Sequence, residues 1–177
     1  MKAAIGLLSS LVLIATIACS GGGDGSGGSE DDAEARANEV VLTYFEVFAG
    51  KKEPQALLDL FAPECRQGVD STQISAVVEL IRTFLPELAE ADIEAVDLGD
   101  LDVEETADGF RVAPSDPDAM RFRVNGEFVN AQEYMAGLIG GDAGSFTSVP
   151  GEGQLTLIRR DGKLYVGDCE ELQDIAG

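Results

Sequence analysis

Ile93-Glu94-Ala95-Val96-Asp97-Leu98 is where the apolar period of the chain changes. Before this stretch, apolar residues recur every three or four positions. From it onward they alternate, which places side chains on the two faces of a strand. Leu101-Asp102-Val103-Glu104 continues the alternation, and Asp108-Gly109 gives a hairpin signal before Phe110-Arg111-Val112. The segment from Pro114 to Pro117 reads as a loop. Met120, Phe122 and Val124 alternate with Arg121 and Arg123, the pattern of a sheet with one wet face. Asn125-Gly126 is a turn. Asn130 with Glu133 three positions on resembles a capping box, so a short helix is expected over 131–138. Glycine-rich residues 140–144 read as a loop. The clearest hairpin comes last, with Gln154 to Arg160, the turn Asp161-Gly162, and Lys163 to Cys169.

Upstream, the period is helical. Val40, Tyr44 and Phe48, with Val41 and Phe45 beside them, put one apolar stripe on a helix from Asp31 to Ala49, ended by Gly50. A short helix begins near Pro54, carries Leu57, Leu58, Leu60 and Phe61, and stops at Pro63. Asp70 or Ser71 caps a third helix with Ile74, Val77, Val78, Ile81, Phe84 and Leu85 on its stripe. Pro86 interrupts it, with a last turn at Leu88. Helices first and strands afterwards predict an α+β fold, with N-terminal helices packed on a curved antiparallel sheet.

The other end of the chain carries a different signal. Met1-Lys2 is a short basic start, and an apolar run to Ala18 follows. That run is shorter than the roughly 20 residues a spanning helix needs, and no basic cluster follows it. Thr16-Ile17-Ala18-Cys19 resembles the lipobox of bacterial lipoproteins, with Thr16 where Leu is usual. The resemblance implies a signal peptide over 1–18, diacylglyceryl lipid on Cys19, and cleavage just before it. Two or more acyl chains hold a protein stably on a bilayer. Residues 19–32 then read as a flexible Gly/Ser-rich tether and 33–177 as the domain. The implied location is a cell or outer membrane, with the domain on the extracytoplasmic side.

Composition narrows the partners. The formal charge is −21, and there is no His and no Trp. Nucleic acid and anionic lipid would both be repelled. About 145 residues behind the tether suit one domain with its own core. With Cys19 taken by lipid, Cys65 and Cys169 remain in a compartment where disulfides persist. Parity favours a Cys65–Cys169 bridge over two separate buried thiols. Closing a loop of roughly 100 residues contributes about 4–5 kcal/mol in the chain-entropy model.

Two stretches carry a resemblance to a known superfamily. Tyr44-Phe45-Glu46-Val47-Phe48-Ala49-Gly50-Lys51 with Leu57-Leu58-Asp59-Leu60-Phe61-Ala62-Pro63-Glu64-Cys65 is one. Ile158-Arg159-Arg160-Asp161-Gly162-Lys163-Leu164-Tyr165-Val166 is the other. Together they resemble the opening helices and the closing hairpin of nuclear transport factor 2-like (cystatin-like) proteins. The resemblance implies a cone with the sheet wrapped around the first helix and an apolar pocket inside. It also implies that the end of the second helix lies near the end of the last strand, which would let Cys65 meet Cys169. Members range from enzymes to binding and assembly modules, so the fold does not carry the function.

Chemistry is sparse. Without His, the commonest general base is missing. Tyr44 and Tyr134 are the candidate inward donors, but a Tyr on a helical apolar stripe is more often core. Asp100, Asp102 and Glu104 share a strand face, but position six from Asp100 is Glu105 where a calcium loop needs Gly, so no metal is expected. Asp116-Pro117-Asp118 reads as a turn. Arg121, Arg123, Arg159 and Arg160 neutralise nearby acids or receive an anion. No catalytic residue and no cofactor is expected. The expected function is a membrane-anchored, non-enzymatic module for a small apolar ligand or a protein partner. An isomerase- or hydratase-like enzyme using a buried carboxylate and a Tyr is the alternative. The anchor has a direct check: Cys19→Ala should abolish the lipid mass and the detergent partitioning, and unchanged partitioning would remove the anchor.

Overall fold

The computed structural model describes residues 28–84, 86–139 and 153–176. Cys19, the signal-peptide region, Leu85 and the 140–144 loop lie outside the described residues. The architecture is α+β, with helices packed on a curved, open antiparallel sheet. Helices α1 (Glu30–Phe48), α2 (Pro54–Leu58) and α3 (Ser71–Phe84) come first. Strands β1 (Ile93–Asp97), β2 (Leu101–Glu105), β3 (Gly109–Pro114), β4 (Arg121–Val124) and β5 (Glu127–Asn130) follow. Then come α4 (Ala131–Ile139), β6 (Leu155–Arg160), β7 (Lys163–Val166) and α5 (Cys169–Ala176).

Helix α1 starts three residues earlier than the expected domain boundary. Ser29 caps it in a full capping box with Asp32. The backbone bond from Ser29 holds the Asp32 carboxyl below its ordinary range. Residues 28–32, read as the end of the tether, therefore belong to the domain. Arg159 donates to the Gly28 carbonyl at 3.1 Å and fixes the entry point against the sheet. At the other end, Gly50 sits at φ +73°, a left-handed conformation that favours glycine and stops the helix.

The sheet is a bent ribbon. β1 pairs with β4, and β2 pairs with β3, all antiparallel. Leu98-Gly99-Asp100 breaks the first strand run, and Ser115 to Met120 breaks the second. The Ser115 N–H reaches the Asp100 carbonyl at 2.9 Å, so the ladder continues into the bend. The two halves have the orders β1-β4-β5 and β2-β3-β6-β7. On the far edge, the Leu60–Ala62 backbone bonds to Val166 and closes off β7.

Core residues come from every layer. Phe45 meets Phe122 of β4 edge-on at 4.8 Å between ring centroids, and Phe122 meets Tyr134 of α4 at 6.1 Å. Phe61, Phe110, Leu57, Leu98, Leu155 and Leu157 are also fully buried. The expected one-sided stripe on α1 is too narrow. Val40, Val41, Thr43, Phe45 and Val47 are all buried, so the helix is covered on several faces.

Other differences are local. Asp108-Gly109 is not the central pair of its turn: the Thr106 N–H bonds the Gly109 carbonyl, and Gly109 already opens β3. Asn125-Gly126 and Asp161-Gly162 do turn with φ positive at both residues, as tight hairpins require. The last strand ends at Val166, and Cys169 opens a helix that the period-two reading passed over. Phe122 gives the packing a test. Phe122→Ala should lower unfolding free energy by about 3–5 kcal/mol, read from the urea midpoint. Phe128→Ala, at a 49 % exposed ring, should cost far less. Equal losses at the two sites would contradict the assignment of Phe122 to the core.

Candidate functional site

Cys65 and Cys169 stand at bonding distance, with Sγ–Sγ 2.01 Å and Cα–Cα 4.6 Å. The chain brings them together by independent means. The segment after α2 pairs with Val166, which delivers Cys65 beside the residues that follow β7. Asp168 then caps α5, its Oδ1 accepting the Glu171 N–H at 3.2 Å. Leu172, one residue on, is fully buried.

Asp168-Cys169-Glu170-Glu171 has capping-box spacing, so the Glu171 carboxylate would ordinarily reach back to the Asp168 N–H. It turns inward instead. Tyr44 Oη donates to Glu171 Oε1 at 3.1 Å. Oε2 is shielded from solvent and has no hydrogen-bond partner among the described residues. Burial and the neighbouring Asp168 charge push the Glu171 carboxyl up to about 7, against the pull of the Tyr44 bond. Burial, then the Glu171 charge, pushes the Tyr44 hydroxyl well above its ordinary value. A carboxyl that titrates near neutrality beside a tyrosine is the one group in the described structure with the character of an acid or base.

This pair lies apart from the packing between α1 and β4. Tyr44 faces Phe48 and Phe61, whereas its neighbour Phe45 faces β4. A depression lined by Phe45, Glu46, Ala49, Lys51, Ala91 and Ile93 touches neither group and has no room for a water molecule. Tyr134, the other candidate donor, packs against Phe122 as core.

The remaining candidates disperse. Asp100 and Asp102 are exposed, and Glu104 pairs with Arg111 at 2.9 Å. Among the described residues no three potential ligands converge on a metal position. Asp116 is a turn residue that accepts the Asp118 N–H at 3.0 Å. Arg121 pairs with Asp97, Arg123 with Glu94, and Arg160 with Glu64. Such exposed pairs contribute ~0–1 kcal/mol each. Arg159 differs, since it holds Gly28 and lies over the Phe110 ring. The described helices include none long and apolar enough to cross a membrane.

No protein-family model matches this chain, and comparison with curated proteins and with solved structures gives no significant match. Site residues therefore rest on geometry alone.

The disulfide is open to measurement. Unfolded, unreduced protein should show no titratable thiol at Cys65 or Cys169. Cys65→Ala with Cys169→Ala should lower stability by about 4–5 kcal/mol on the chain-entropy scale. Two free thiols in the unreduced wild type would remove the bridge.

Proposed function

We propose that this chain is a non-enzymatic protein-interaction module of the nuclear transport factor 2-like kind, anchored at a membrane through lipid on Cys19. The observation that carries the reading is the combination of a filled interior with an open helix face. Phe45 and Phe122 meet edge-on between α1 and β4 and fill the space that a ligand pocket would need. Meanwhile α3 buries only Ile74 and Val78 of its apolar stripe. Phe84 is 75 % exposed and Leu80 56 %, with Val77 and Ile81 half-buried beside them.

The docked partner is a protein with an apolar contact surface and a cationic rim. Its charge follows from the −21 of this chain, which opposes a second copy and favours a basic surface. A small apolar ligand finds less support, since the interior is occupied. An anchor at Cys19 would keep the domain near the bilayer. Residues 20–27 span at most about 29 Å when fully extended.

The enzyme reading retains one observation, the Tyr44–Glu171 pair. Its weakness is the position of that pair, against Phe48 and Phe61 rather than in the cleft between α1 and the sheet.

A photo-crosslinking residue at position 84 of the membrane-borne protein tests the reading. A discrete adduct is expected, with the basic partner of the stated kind, weakening as salt rises and lost in Leu80→Glu. Phe84→Ala should leave stability within about 0.5 kcal/mol while weakening capture at least several-fold. An adduct with a second copy, or no more adduct at 84 than at exposed Asp102, would overturn it.

A further inference from the structure

The Asp168–Glu171 segment contains two competing uses for one carboxyl group. In the described position Glu171 lies inward, takes the Tyr44 hydroxyl, and leaves Oε2 shielded without a partner among the described residues. Its Cα also stands three residues after the cap, where an outward rotamer would meet the Asp168 N–H and complete the box. The two positions favour opposite charge states. The inward site is desolvated and faces a carboxylate, so it favours the neutral acid. The outward site lies at a helix N-terminus in water, where an anion is stabilised.

We propose that Glu171 is a two-position carboxyl that makes the docking of α5 pH-sensitive: neutral, it rests inward on Tyr44; ionised, it swings out to the Asp168 N–H. Among the described residues, no cation opposes this preference, and the Tyr44 bond offsets it only in part. From α1 it meets Tyr44, and from the turn before α5 it meets Asp168. α2 has no ionisable side chain, and the charged residues of α3, Glu79 and Arg82, are exposed. Glu170 and Asp174 on α5 itself are exposed as well. The Cys65–Cys169 bond and buried Leu172 limit how far the helix can move. The change is therefore a loosening at Tyr44 rather than release of the helix.

Linkage sets the direction. The folded carboxyl titrates at about 7 against an ordinary 4.5, so between those values the folded chain holds the extra proton. The contribution is fully present below the ordinary value and is lost as pH rises through about 7.

The test follows the Glu171 carboxyl carbon and the Asp168 amide by NMR on the intact, disulfide-bonded chain. Both should titrate together near 7, the amide moving as it gains its new acceptor. Asp168→Asn keeps a good cap but removes the charge, so the midpoint should fall. Glu171→Gln should abolish the amide transition and reduce the loss of stability between about pH 5 and pH 8. The proposal fails if Glu171 titrates in the ordinary carboxylate range, if the Asp168 amide does not follow it, or if Glu171→Gln keeps the full pH dependence.

Discussion

Everything in this fold depends on covering α1. A helix with Val40, Val41, Phe45 and Val47 buried around its circumference cannot rest on a flat surface. The ribbon must bend to reach more than one face, and the bend is placed by a hydrogen bond. Asn38 of α1 accepts the Leu98 N–H at 3.0 Å, just where the first strand run breaks. Losing that acceptor would leave the N–H of a buried residue without this partner, which is costly. Gly99 at φ +75° then turns the chain with its N–H on Asp97. One side chain on the central helix thus sets where β1 ends and β2 begins.

How much of this was legible depended on whether a residue's partner was local. Hairpin turns were, because a positive φ at Asn125-Gly126 or Asp161-Gly162 is a property of those residues. Asp70 as a cap was too, its acceptor three residues or fewer from the Thr72 and Gln73 N–H groups it serves. β5 was missed because Glu127-Phe128-Val129-Asn130 is held by pairing with β4 and none of its residues is fully buried, so it shows little alternation. The breadth of burial on α1 was missed for a related reason. Thr43 and Val47 lie off the Val40–Tyr44–Phe48 stripe, yet both are buried in the folded chain.

The site shows the same division more sharply. Cysteine parity pointed to Cys65 and Cys169 without any coordinates, because a count needs no geometry. Glu171 had no such signal. Its spacing from Asp168 is that of an ordinary capping box, and a solvated carboxylate on an acidic chain attracts no notice. Only the Tyr44 contact, across 127 positions of sequence, changes its meaning. Tyr44 was identifiable as a candidate donor, but its acceptor was not.

The charge of the chain bears on both proposals through one physical effect. At −21, cations are scarce, and eight of the acids hold them in the described pairs, including Asp97, Glu94 and Glu64. An acid that turns inward thus finds a hydroxyl or another acid before it finds a base. Glu171 illustrates this, with Tyr44 and Asp168 as neighbours and no cation on it. Its proton affinity rises chiefly through burial, with the Asp168 charge adding to the rise and the Tyr44 bond opposing it. The same shortage acts at the surface. Leu80 and Phe84 are exposed on a strongly acidic molecule, which is why the proposed partner is one that supplies positive charge. On the proposed reading, the acidic composition, bland as a mark of solubility, would act as a selection rule for what covers that face.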